Sequence, residues 1–193
     1  KFKSKSIDIL NMYGCSSVNE KVKNNEIIDQ DLIKEDTKLY IRPFSNTNMW
    51  AFNCENDVLK NEKIRQAISL CYDRDLENDL LNGNIFTTAK GIIPPTMLGY
   101  QENIETEFTK VNIEKAKKLI KEAGYKEGEL KITIDIKQGN QEFLEAEFLK
   151  KCMEKIGIKA EIQVNSSPEL LNKLRNKNCQ IYKMQWFEIG RAH

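Results

Sequence analysis

The sequence predicts an α/β fold with parallel strand neighbours, on three observations. From residue 130 to 186 the pattern runs strand, helix, strand, helix, strand, and strands joined by helical crossovers pair in parallel. Ahead of that run stands a strongly amphipathic helix at 113–123, with a capping residue before it and a glycine after it. The 193 residues are also enough to bury roughly 70% of the unfolded surface and form a true core. This length fits one or two domains, and the sequence carries no internal repeat or low-complexity tract.

Taken in order, a short strand is expected at 7–10, within Ser6-Ile-Asp-Ile-Leu10. Residues 19–36 are dense in Asn, Lys and Asp and read as a polar loop or a weak helix. A strand is expected at 39–44 and a further extended segment at 46–53, in which residues 46, 48, 50 and 52 share one face. Two short helices follow. In the first, 62–71, Ile64, Ala67, Ile68 and Cys71 recur at helical spacing. The second, 74–82, has Asp73 placed to cap its start and Gly83 to stop it. Pro94 and Pro95 force extended backbone before each ring and mark 91–100 as a loop.

In the 113–123 helix, Asn112 can cap the start and Gly124 suits the left-handed residue that ends it. Ile113, Ala116, Leu119, Ile120 and Ala123 make its buried stripe, with Lys115, Lys117, Lys118 and Lys121 outside. The strand at 130–136 alternates Leu130, Ile132, Ile134 and Ile136 with Lys131, Thr133 and Asp135. The helix at 141–156 is expected to bury Phe143, Leu144, Phe148, Leu149, Cys152 and Ile156. A strand at 159–164, a helix at 168–176 and a strand at 180–186 complete the pattern.

Composition removes several function classes. Thirty Lys+Arg against 29 Asp+Glu leave a net charge of +1, with the two signs interspersed, so the basic stripe of a nucleic-acid binder is absent. Cys15, Cys54, Cys71, Cys152 and Cys179 are widely spaced, form no CxxC pair and stand beside a single histidine. That set makes neither a zinc site nor a complete disulfide framework, and the cysteines read as small buried hydrophobes. No apolar run approaches the ~20 residues of a spanning helix, and no charged-then-apolar leader opens the chain. Both ends read as cut, so this absence decides little about location.

Enzyme signatures are missing as well. There is no GxSxG, HExxH, Walker loop or GxGxxG after a strand, and a cysteine nucleophile lacks a partner base. The carboxylate pairs Asp73/Asp75 and Glu145/Glu147 stand at i,i+2 and face different sides of a helix. Glu145 and Glu147 are expected on the solvent face, and Asp73 and Asp75 at a helix start, where acids suit the dipole. No cofactor or metal is implied.

One run does point to a function. It reads Trp50-Ala-Phe-Asn53, Ile64-Arg-Gln-Ala-Ile68, Asp73-Arg-Asp75, Gly83, Gly91-Ile-Ile-Pro-Pro95, Gly99-Tyr100 and Lys115-Ala-Lys-Lys-Leu-Ile-Lys-Glu-Ala-Gly-Tyr125. In this order the segments resemble the family 5 extracellular solute-binding proteins, the receptors of oligopeptide and dipeptide ABC importers. The likeness extends over about residues 6–187. It implies an α/β fold with a mixed sheet flanked by helices, one lobe of a two-lobed periplasmic-binding-protein type II structure of the peptide-binding cluster. Residues 1–44 would end the first lobe and lead into the hinge, and 45–187 would form most of the second. The implied partners are a peptide or other small solute and an ABC permease in the membrane, with no nucleic acid. The implied location is extracytoplasmic, in the periplasm or on a cell-surface lipoprotein. A sensor domain of a regulator built on the same lobe is the alternative, and an α/β enzyme a weaker one.

By the same resemblance, a peptide lies extended between the lobes, partly through backbone bonds. Asn46, Asn48 and Trp50, on one side of the hinge strand, would then face the cleft; the competing reading makes Trp50 a core residue. The second candidate is Lys183-Met-Gln-Trp186, which resembles the family's basic residue and, three residues on, its tryptophan. Trp186 offers a ring face to ligand side chains, and Lys183 a charge to a carboxylate without the fork of an arginine. The family's acidic residue, three further on, is replaced by Ile189. Finally, Glu188-Ile-Gly-Arg-Ala-His193 back-translates to GAG ATC GGA AGA GCA CAC, the opening of a common sequencing adapter. Residues 188–193 are therefore expected to be a non-native tail that contains the only histidine.

Overall fold

In the computed structural model, which describes residues 20–33, 37–42, 44–104 and 106–187, the chain runs through two short strands, β1 (Val22–Lys23) and β2 (Glu26–Ile27), and then β3 (Asn46–Phe52), α1 (Glu62–Cys71) and α2 (Arg74–Asn82). It continues through α3 (Ile113–Glu122), β4 (Lys131–Lys137), α4 (Asn140–Glu154), β5 (Lys159–Asn165), α5 (Ser167–Arg175) and β6 (Ile181–Phe187). The expected strand at 7–10 and the tail at 188–193 lie outside the described residues. The chain divides into two units, Lys1–Pro43 with Arg74–Thr88, and Phe44–Asp73 with Ala89–His193.

In the first unit, the segment read as a polar loop or weak helix contains a hairpin. β1 and β2 pair antiparallel, Val22 with Ile27 and Lys23 with Glu26, around Asn24 (φ 48°) and Asn25 (φ 65°). Two left-handed central residues make the turn whose twist suits a hairpin, and asparagine tolerates that conformation. The turn is tied to the end of α2: Asn24 N–H donates to the Gly83 carbonyl at 2.9 Å, and Asn84 Nδ2 to Asn24 Oδ1 at 3.0 Å. Asn78, buried in α2, holds both backbone groups of Phe86, accepting from its N–H at 3.2 Å and donating to its carbonyl at 2.8 Å. The strand expected at 39–44 is not formed among the described residues. Tyr40 and Ile41 are exposed there, and β propensity without a partner ladder makes no strand.

The second unit carries the sheet. Its order is β3-β6-β4-β5; β4 pairs in parallel with both β5 and β6, while β3 and β6 are antiparallel. The sheet is therefore mixed, with β3 and β5 at its edges. Alternation gives β4 two characters. Ile132, Ile134 and Ile136 enter the core with Leu130, Ile181 and the inner faces of α1, α3 and α4, each fully buried aliphatic side chain contributing about 1.5–3 kcal/mol. Asp135 points to the other face, where it is also buried, and accepts from Lys173 Nζ of α5 at 2.7 Å and Asn165 Nδ2 at 3.1 Å. A carboxylate in that position needs such partners, because an unpaired buried charge is strongly destabilising. α5 begins with a capping box between Ser166 and Glu169, a start signal that fixes it one residue earlier than expected.

The α4 segment buries Leu149 and Cys152, and Ile156 just beyond it, as expected, with Phe148 packed against the core, but its first turns differ. Glu145, Ala146, Leu149, Cys152 and Met153 are buried, whereas Phe143 and Leu144 are 43% and 40% exposed. The buried set follows i, i+1, i+4, i+7, i+8, one continuous stripe, and fully buried Ala146 lets the helix approach closely. Glu145 joins that stripe because a cation waits there, as described below.

Local signals decide α3 completely. Asn112 Oδ1 accepts from Lys115 N–H at 2.9 Å, and Gly124 ends the helix at φ 93° with open space around it. Asn112→Ala is expected to cost about 1 kcal/mol, and Gly124→Ala about 1–2 kcal/mol from backbone conformation alone; urea unfolding of each variant reads these losses.

Cys179 is buried beside Asp135. Withdrawal from water, followed by the neighbouring carboxylate, pushes its thiol up to about 11, from an ordinary 9.0. Between these values the unfolded chain has lost the proton and the folded chain has not. The thiol's contribution is therefore whole below pH 9 and lost as pH rises toward 11. The stability difference between the wild type and Cys179→Ala should shrink from pH 8 to pH 10.5 in chemical denaturation, and native-state thiol labelling at pH 8 should modify exposed Cys54 well before Cys71, Cys152 or Cys179.

Candidate ligand-binding site

All five residues that the sequence nominates stand on one ladder. β3 and β6 pair over their full lengths, Asn46 with Phe187, Thr47 with Trp186, Asn48 with Gln185, Met49 with Met184, Trp50 with Lys183, Ala51 with Tyr182 and Phe52 with Ile181. Directly opposed residues in an antiparallel pair share a face, and successive residues alternate. Asn46, Asn48, Trp50 and Lys183 therefore lie on one side, the side of Ile181 and the core. Trp186 lies on the other, with Thr47, Met49 and Tyr182. The spacing Lys183-Met-Gln-Trp186 puts its two chemical groups on opposite faces, as an odd offset along a strand must.

Burial also changes along the ladder. Ile181 is buried, Tyr182, Lys183 and Met184 are half-buried, and Gln185 and Trp186 are exposed. On the paired strand, Asn48 is exposed, while Trp50 and Phe52 pack against the core. The ladder thus emerges from its covering helices toward the Asn46 end of β3 and the Phe187 end of β6.

The two innermost nominees have partners inside the unit. Trp50 Nε1–H donates to the Tyr72 hydroxyl at 3.1 Å, and the Tyr72 ring meets Phe148 edge-on at 5.7 Å between centroids. Lys183 Nζ forms an ion pair with Glu145 of α4, with the two side chains 15% and 9% exposed. The other Glu145 oxygen accepts from Gln141 Nε2 at 3.2 Å. Glu145 is accordingly a buried partner, contrary to the expectation of a solvated acid: the sequence shows its helical position but not that Lys183, from a distant strand, meets it.

On the face of Trp186, the residues that shape the surface beside it are ones the sequence pattern does not single out. Thr47 Oγ1–H donates to the Ile92 carbonyl at 2.9 Å, and the Ser45 and Thr96 hydroxyls are 2.9 Å apart. These bonds hold the Ile92–Thr96 loop beside the start of β3, directly across the ladder from Trp186. Ile92, Ile93 and Trp186 are exposed at 63%, 39% and 54%, so this end presents apolar surface on one face and amides on the other. The Pro94-Pro95 signal marks this loop, but nothing local says where it docks. β3 is also an edge strand, and among the described residues no strand pairs with its outer side. Such an edge can template an added strand. The described residues hold no group of three or more His, Cys, Asp or Glu able to bind a metal ion.

The sheet is mixed and helix-covered, with a strand edge and an open ladder end. A model of the bacterial extracellular solute-binding proteins, family 5, middle region, matches residues 1–190, and the chain belongs to that family. It is 28% identical over 152 residues to the dipeptide-binding protein of Escherichia coli, covering 75% of this chain and 27% of that protein. It is 26% identical over 163 residues to the oligopeptide-binding protein OppA of Bacillus subtilis, covering 80% and 30%. Among solved structures, it resembles the ABC transporter-associated periplasmic binding protein DppA of Helicobacter pylori in complex with the peptide STSA, at a TM-score of 0.69 and 24% identity, covering 75% of this chain and 28% of that one. The fold is that of the type II periplasmic-binding proteins, and the relatives are solute-binding proteins. The chain spans less than a third of their length.

Tyr72→Phe removes the acceptor of Trp50 and is expected to cost about 0.5–1.5 kcal/mol in stability, with a change in Trp50 fluorescence; chemical denaturation followed by tryptophan emission measures both.

Proposed function

We propose that this chain is part of an extracytoplasmic receptor, in the periplasm or on a cell-surface lipoprotein, that captures a peptide or related small solute between two lobes and delivers it to an ABC permease. Family membership supports the class, and the peptide-binding relatives support the ligand. The observation that carries the reading to particular residues is the β3/β6 ladder, which runs out of its helical cover with Trp186 exposed and the β3 edge open. In this proposal residues 1–44 end the first lobe and lead into the hinge, and 45–187 form most of the second.

The five candidate residues then divide by position. Asn48 offers an exposed amide on one face, with half-buried Asn46 beside it, and Trp186 offers a ring on the other, where an extended ligand can pack without a demand for one side chain. Trp50 and Lys183, opposed in a single pair two positions further in than Asn48 and on the same face, tie the ladder to its helical cover. The role is binding and not catalysis. Solute binding favours a closed arrangement of the lobes only by as much as the solute prefers that arrangement, so contacts made after closure matter most.

In the full-length gene product, Trp186→Ala should weaken binding of a di- to tetrapeptide by about 0.5–1.5 kcal/mol if ring packing is the main loss. Isothermal titration calorimetry on both proteins decides this, and an unchanged affinity removes Trp186 from the site.

A further inference from the structure

We infer that Lys183 serves as a positioning residue, neutralised by Glu145, and that the ligand subsite at this end of the ladder does not select for a free carboxylate. The inference rests on the solute-capture reading above and deepens it.

Lys183 faces the core side of β6, where its ammonium meets the Glu145 carboxylate of α4. Both side chains are largely withdrawn from water, and the remaining Glu145 oxygen is occupied by Gln141. Directly across the ladder stands Trp50, whose ring packs on the core and whose N–H is bonded to Tyr72. Glu145 therefore holds the ammonium from the helix, and the strand residue opposite it is itself committed to the core. For Lys183 to bind a ligand carboxylate it would have to leave Glu145, which would become a buried, uncompensated anion, and that exchange is strongly unfavourable. The exposed groups of this end are the amides of Asn48 and Gln185 and the Trp186 ring. None of them carries a charge. The pair instead fastens β6 to α4 three residues before Trp186 and holds the strand as it leaves the sheet. The ligand class that suits this end is one recognised through backbone and apolar contacts, with its charged termini bound elsewhere or absent.

The test uses the full-length protein, a short peptide and the same peptide amidated at its C-terminus. In wild type the acid and the amide should bind within about threefold of each other. Glu145→Gln removes the carboxylate that holds the lysine, and should shift the preference toward the acid by about tenfold, the scale of a charge-assisted hydrogen bond. Lys183→Met should leave the acid-to-amide ratio near that of wild type. A wild-type preference for the acid of tenfold or more that disappears in Lys183→Met overturns the inference.

A second arm needs no ligand. Thermal unfolding of Glu145→Gln, Lys183→Met and the double variant should be non-additive, the double variant unfolding no lower than the worse single one. Additive losses show that the two residues are not coupled and overturn the inference by themselves. If wild type folds but binds no peptide, the solute-capture reading fails for peptides, and this second arm still decides whether Lys183 is held by Glu145.

Discussion

The antiparallel register of β3 against β6 is the constraint on which the rest of the second unit depends. Seven residues of each strand are opposed one to one, so a slip of a single position would exchange the two faces of either strand. The core enforces the register. Ile181 and Phe52 form the innermost pair, and Trp50 and Tyr72 lock the same face two positions out. Once those side chains are committed inward, Trp186 has no choice but to face the other way. The exposure of that ring is a consequence of the packing at Ile181, not of anything in its own neighbourhood.

Two buried carboxylates set the helices on either side of the sheet. On the core face Glu145 meets Lys183, which joins α4 to β6; on the opposite face Asp135 meets Lys173 and Asn165, which joins α5 to β4 and β5. Buried ion pairs add little net stability over a well-packed apolar pair, yet loss of one partner is costly. Their value here is positional. An apolar face tolerates small rotations of a helix, whereas a lysine that must reach one carboxylate does not. This accounts for α4 turning Phe143 and Leu144 toward water while it buries an acid.

The same rigidity bears on the proposed capture of a solute. A unit that presents a preformed strand edge loses little entropy when an extended ligand arrives. The Ile92–Thr96 loop, bonded to Thr47 and placed near Ser45, extends that fixed surface without adding a regular element.

How much of this was legible in the sequence follows from the range of the forces involved. α1, α2, α3 and the alternation of strands and helices from β4 to β6 are encoded by caps, glycine stops and apolar period, all acting within a few residues, and their bounds match expectation closely. The family could likewise be read from the order of its motifs. The Asn24-Asn25 hairpin was also local, but its turn residues were masked by a polar composition that resembles a poor helix. Other features depended on partners far away in the chain. The 39–44 segment has strand propensity and no ladder. The position of β6 between β3 and β4 brings Lys183 to Glu145 and sends Trp186 to the opposite face. The sequence by itself determined which segments are strands and helices, because hydrogen bonding and side-chain period are short-range. Only the tertiary structure decided which side of the sheet each candidate residue occupies and which charges meet, because those depend on strand order and register, which pair residues more than a hundred positions apart.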